Sequence, residues 1–224
     1  MNFYLLPWSN KKTKMDLIKR DLREVWRDTR FPQLNPLRES VIKELDVETY
    51  PLAPAYRRYK GKFWEELIFW ALPSKVKEEL ERGSVVLSPL MGLLGISDSV
   101  PYYEVEWETQ CCGRSLKEFW REHVKELTER LFDGATVWDF MSTKERDILS
   151  LPENTRRVSF EYYRKGARVI NTLPHRAYTL RYVVEMGVGT ESLERINFLD
   201  YKVKEVREEE RGLKVVLQGE GRYI

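Results

Sequence analysis

The sequence predicts a mixed α/β (α+β) fold, a single compact domain built on one mixed sheet with surrounding helices. Two observations carry this. Short apolar or alternating runs of strand type recur between stretches of helical period, at spacings too irregular for a regular parallel repeat. The 224 residues, 42% hydrophobic and 33% charged, suffice for a sizeable core and describe a globular chain rather than a disordered one. No internal repeat or low-complexity segment divides the chain, so residues 1–224 are read as one domain.

The elements follow in order. Residues 3–6 form an apolar run suited to a buried strand. Residues 14–28 read as a charged helix with Leu17, Leu22, Val25 and Trp26 as its apolar contribution. Pro32, Pro36, Pro51 and Pro54 break the next region, which leaves room for a helix near 37–45. Residues 62–71, with Phe63, Trp64, Leu67 and Trp70, predict a helix ended by Pro73, and 74–82 another with Ser74 as N-cap. "SVVLS" (84–88) is a short buried strand, and "YYEVEW" (102–107) alternates like a half-exposed one.

The clearest element spans 115–132: Ser115 and Glu118 form a capping box, and Leu116, Trp120, Val124, Leu127 and Leu131 repeat along one face. His123 flanks that stripe and is expected to pack there rather than bind a ligand. A strand at 135–140 and a short helix at 142–149 come next. Strands near 157–163 and 167–170 precede a helix at 175–186 and a short one capped by Thr190. Strands near 197–206 and 213–217 complete the reading.

Net charge is only +2, so the global balance points to no partner. Its distribution says more. Seven Lys or Arg and one acid, Glu161, lie between Arg156 and Arg181; Arg57, Arg58, Lys60 and Lys62 form a second cluster, and Lys11, Lys12 and Lys14 a third. Acids gather at Glu104, Glu106 and Glu108 and at Glu208–Glu210, an asymmetry compatible with one positively charged cleft. The two cysteines, Cys111 and Cys112, are adjacent and offer neither a disulfide framework nor four-ligand zinc spacing. No metal site and no cofactor are expected. A reducing cytoplasm fits, and no run of eighteen apolar residues predicts a membrane span. High Lys, Arg and Glu with three glutamines points to a thermophilic source.

Chemistry is sought where apolar elements end in polar residues. "FYLLPWSNKKT" (3–13) leaves a strand directly into hydroxyls and ammonium groups, and Ser9, Lys11 and Lys12 there suit an anion contact. A capped turn with solvated lysines is the competing reading. Arg58 and Lys60 near Gly61 offer a second anion contact, since glycine permits close backbone approach. No Walker A sequence and no Gly-x-Ser-x-Gly is present, and Ser88 at a strand end lacks an identifiable base. Arginines interleaved with Tyr59, Trp64, Tyr162, Tyr163, Tyr178 and Tyr182 would combine phosphate pairing with stacking, and an aromatic core merely rimmed by arginines is the competing reading. On the helix from His175, Arg176 and Arg181 flank a stripe of Ala177, Leu180 and Val184, and Arg164, Lys165 and Arg168 extend the track.

Five segments in order resemble the YaaA peroxide-stress-resistance family, over roughly residues 1–205. "LLPWSNKKT" is similar to its opening motif at Pro7, Ser9, Lys12 and Thr13. "RYKGKFWEEL" (58–67), "VVLSPLMGLLGISDSVPYYEVEW" (85–107), "LKEFWREHVKELTERL" (116–131) and "HRAYTLRYVV" (175–184) resemble later motifs. The chain departs from the family pattern at Lys11, Pro89, Tyr103 and Ala177, and helix-hairpin-helix glycines are absent between 30 and 57, which marks a divergent member. The resemblance implies a mixed α/β fold with a basic cleft, a cytoplasmic role in peroxide resistance and binding of double-stranded DNA. An enzyme acting on a nucleotide or another phosphorylated small molecule in the same cleft is the alternative.

Overall fold

A computed structural model describes residues 1–222. Strand β1 (Asn2–Leu6) lies in the interior of a nine-stranded mixed sheet. Its neighbours are β3 (Ser84–Ser88) and β8 (Thr136–Asp139), both parallel to it. Phe3 to Leu6 are all buried, as expected of a strand covered on both faces. Successive side chains point to opposite faces. Phe3 meets Phe132 of the helix α6 (Leu116–Phe132) edge-on, with ring centres 5.2 Å apart, while Tyr4 bonds Glu79 of α5 (Ser74–Gly83) at 3.3 Å. Helices therefore cover the sheet from both sides.

The remaining sheet strands are β4 (Gly92–Leu94), β9 (Arg156–Arg164), β10 (Ala167–Arg168), β11 (Asn197–Phe198), β12 (Tyr201–Glu209) and β13 (Gly212–Gly219). The order is β11-β12-β13-β9-β8-β1-β3-β4, with β10 beside β9. Strands β13, β9, β8, β1 and β3 run parallel; β4, β10, β11 and β12 are antiparallel to their neighbours. Two short ribbons stand apart, β2 (Leu52–Pro54) with β5 (Ser99–Pro101), and β6 (Gln110–Cys111) with β7 (Arg114–Ser115). The other helices are α1 (Leu22–Val25), α2 (Asn35–Glu44), α3 (Ala55–Arg58), α4 (Lys62–Leu67), α7 (Thr143–Arg146) and α8 (Leu173–Glu185). Among the described residues no helix is long and apolar enough to cross a membrane.

The capping box at Ser115 and Glu118 forms as predicted, and His123 packs on Phe119 with its Nδ1 2.7 Å from that residue's carbonyl oxygen. Several expectations need correction. The helix expected over 14–28 shrinks to Leu22–Val25, followed by a 3₁₀ turn over Trp26–Asp28. The amides of Leu17 and Ile18 donate instead to the Leu52 carbonyl, so tertiary pairing with β2 overrides local helical pattern. Helix 62–71 breaks at Ile68, whose φ of +46° ends α4 before a 3₁₀ turn. Residues 102–107 alternate in burial, with Tyr103 and Trp107 inside, but pair with no strand. Pro73, not Ser74, is the N-cap of α5, and Gly189, not Thr190, precedes the 3₁₀ turn Thr190–Arg195. On α8 the buried stripe passes through Ala177, Leu180 and Val183, one residue short of the expected Val184.

Candidate functional site

Parallel strands leave their carboxyl ends at one edge of a sheet, the usual location of ligand sites in open α/β folds. Here that edge carries Leu6, Ser88, Asp139 and, where β9 runs on past β8, Arg164. The opening motif emerges from it. The amide of Trp8 donates to Glu145 Oε1 at 2.7 Å, and that of Lys11 to Ser9 Oγ at 3.2 Å. Lys12 then bridges to Tyr59, Lys60 N–H donates to Lys11 O at 2.9 Å, and Thr13 N–H to Arg58 O at 2.9 Å. Gly61 has φ +111°, a conformation that favours glycine, and a Cβ built there would lie 3.4 Å from Ser9 Oγ. Residues 11–13 and 58–60, far apart in sequence, thus share one backbone ladder, with Ser9 and Gly61 meeting at its end.

Beneath this turn lies a chain of buried hydroxyls. Tyr103 OH stands 2.9 Å from Ser88 Oγ and 2.8 Å from Tyr59 OH, and accepts from Trp8 Nε1–H at 3.3 Å. Ser88 Oγ also accepts the amide of Met91. Desolvation pushes the Tyr103 phenol up to about 12 and that of Tyr59 well above its ordinary value. The Lys12 ammonium caps the chain, 4.3 Å from the centre of the Tyr103 ring and 5.4 Å from that of Trp8. Burial lowers the Lys12 pKa to about 8, while Glu106 and Glu104 pull in the other direction. The amine also donates to the Asn10 carbonyl at 3.1 Å, and with that pKa it can hold an anion or exchange a proton near neutral pH.

The basic residues divide by what their donors already hold. Arg58 is buried, and its three nitrogens donate to the carbonyls of Val100 (3.0 Å), Thr13 (2.5 Å) and Pro51 (3.2 Å). It clamps three segments together rather than facing a ligand. Arg176 donates to the carbonyls of Phe140 and Met141 at 3.0 and 2.6 Å, just beyond β8. Arg181 reaches the carbonyl of Glu66 at 3.3 Å and stacks near Tyr178, which joins α8 to α4. Lys11, Lys60, Lys165 and Arg168 are exposed, and Arg164 is half-buried. Arg168 pairs with Glu161 at 3.2 Å.

Two further groups escaped the sequence reading. Asp139, buried at the carboxyl end of β8, accepts from Arg146 and Arg157, both at 2.7 Å, and so holds two half-exposed guanidinium groups, the second reaching from the amino end of β9. Glu145 is buried, caps α7 through Ser142, and holds the Trp8 amide; desolvation raises its pKa to about 7. The available signal was Ser142-x-x-Glu145 directly after a strand, a capping box whose glutamate also reaches the opening turn.

A family model described as peroxide stress protein YaaA matches residues 30–207 of the chain. The chain belongs to the YaaA family. The match takes in Arg58 to Gly61, Ser88 and the basic residues from Arg164 to Arg181, whereas the opening turn precedes it. A segment of 94 residues is 22% identical to the Uncharacterized protein Cj0984 of Campylobacter jejuni. That segment is 42% of this chain and 38% of that relative's length.

Proposed function

We propose that this YaaA family protein serves peroxide stress resistance in the cytoplasm by binding double-stranded DNA along its phosphate backbone. The observation that supports the reading is the gathering of basic groups on the carboxyl edge of one sheet: Lys11, Lys12 and Lys60 at one end, Arg146 beside Asp139, and Arg164, Lys165 and Arg168 beyond. Phosphate contacts of this kind position a duplex without reading its sequence. Arg58 and Arg176 support the surface from behind, since their donors are committed to backbone carbonyls.

A second reading has its own support in Lys12. An amine with pKa about 8, above the Tyr103 ring whose hydroxyl joins Ser88 to Tyr59, suits a phosphorylated small molecule such as a nucleotide. Duplex titration at two salt concentrations, run beside a thermal-shift screen of nucleotides, divides the two. Backbone binding requires an affinity that falls steeply with salt. Salt-insensitive or absent duplex binding, with a nucleotide raising the melting temperature, favours the small-molecule reading.

A further inference from the structure

The vicinal cysteines gain a third partner in the fold. Cys111 ends β6 and Cys112 begins the two-residue turn into β7, with their Sγ atoms 3.2 Å apart. Glu44, the last residue of α2, arrives from far upstream, and its Oε1 accepts the Cys112 amide at 2.6 Å. Both sulfurs and a Glu44 carboxylate oxygen lie within 4.8 Å of one another. We propose that Cys111, Cys112 and Glu44 bind a thiolate-seeking d¹⁰ dication of the Zn²⁺ and Cd²⁺ class.

Three physical arguments support the assignment. Thiolate sulfur is the donor such ions select, and a carboxylate oxygen completes many of their sites. Two thiolates on one tetrahedral ion, at a bond length of about 2.3 Å, stand about 3.8 Å apart. The Sγ atoms therefore need to open by only about half an ångström. Second, Glu44 sits at the carboxyl end of a helix, where the dipole disfavours an acid, and no ion pair compensates it among the described residues. The nearby Arg114 is committed to Glu122. A dication would offset the charge of that carboxylate. Third, the turn places Cys112 at φ +55° and Gly113 at φ +77°, so a cysteine occupies a left-handed position where Asn, Asp or Gly is ordinary. That conformation turns adjacent side chains toward each other instead of to opposite faces of the strand. On binding, each thiol releases its proton to solvent, and two thiolates and one carboxylate then face the dication.

The sequence offered no such site because the third group is contributed by a separate helix. The test is a Cd²⁺ titration of the full chain under a phosphine reductant, read by the ultraviolet cadmium–thiolate charge-transfer band. One equivalent should saturate the band. Cys111→Ser and Cys112→Ser should each lose the stoichiometric site, and Glu44→Gln, an exposed change that leaves the fold intact, should weaken binding about tenfold or more. Absence of a band at one equivalent overturns the proposal. So does a single-serine variant that binds as tightly as the parent, or a Glu44→Gln variant with unchanged affinity.

Discussion

The Lys12 ammonium stands 4.3 Å from the centre of the Tyr103 ring, and the hydroxyl of that ring joins Ser88 to Tyr59. A cation at the surface is thus coupled to a hydroxyl chain at the carboxyl edge of the sheet. Aromatic contact favours the charged amine while desolvation disfavours it, and Lys12 is held between the two.

The first prediction concerns that amine. With its pKa lowered from 10.5 to about 8, Lys12 is neutral in a larger fraction at moderately alkaline pH than an ordinary lysine. Competitive acylation followed by peptide mass spectrometry should show Lys12 reaching half its maximal rate near pH 8. Half-maximal acylation near the ordinary lysine value of 10.5 would refute the assignment. The same titration should weaken any anion bound at Lys12 as pH rises through about 8.

Tyr103→Phe removes one oxygen and leaves the hydroxyls of Ser88 and Tyr59 without their shared partner in a buried setting. An unsatisfied buried polar group costs about 1–3 kcal/mol. Urea unfolding should report a loss in that range with an unchanged m-value. A variant as stable as the parent would mean that the hydroxyl chain is not holding the turn.

Glu145 supplies a pH signature with a definite sign. Burial raises its pKa from 4.5 to about 7, so between those values the folded chain binds more protons than the unfolded one. Stability from this group is therefore fully present below about 4.5, falls as pH rises, and is lost above about 7. Melting temperatures of the parent relative to Glu145→Gln should fall across this window. A constant difference between the two proteins would contradict the burial argument.

Arg58 and Lys60 lie two residues apart and should behave oppositely. Arg58→Ala strips the donors from three backbone carbonyls and should cost more than about 3 kcal/mol in urea unfolding, since hydrogen bonds to charged groups contribute about 1.5–3 kcal/mol each. Lys60→Ala should change stability by less than about 0.5 kcal/mol, as exposed substitutions usually do, while weakening duplex binding. Similar stability losses in both would erase the distinction between clamp and contact.

The late basic segment should split in the same manner. Arg168→Ala should leave stability nearly unchanged, because Glu161 keeps Lys214 and Arg207 nearby, and should lower the salt slope of duplex binding by about one. Arg176→Ala should lose stability through its two carbonyl partners, with the slope unchanged. Titrations at several salt concentrations, with melting curves alongside, check both; a slope unmoved by Arg168→Ala would remove that arginine from the proposed duplex contacts.

The sequence by itself determined what depends on local pattern. Continuous apolar runs made β1 and β3 legible because strands buried on both faces need apolar residues at every position. The capping box at Ser115 marked the start of α6 because both of its hydrogen bonds form within four residues. It also directed attention to Ser9, Lys12, Gly61 and Ser88, each where an apolar element gives way to polar residues. Tertiary structure decided everything that depends on which distant backbone a side chain meets. Residues 17–18 left the helical pattern because Leu52 offered extended pairing, and Arg58 changed from surface cation to clamp because three carbonyls converge on it. Glu145 reached the opening turn, and Glu44 the cysteines, across 137 and 68 residues of chain. Hydrogen bonds act over about 3 Å while sequence records only distance along the chain, so such partners are fixed by packing alone.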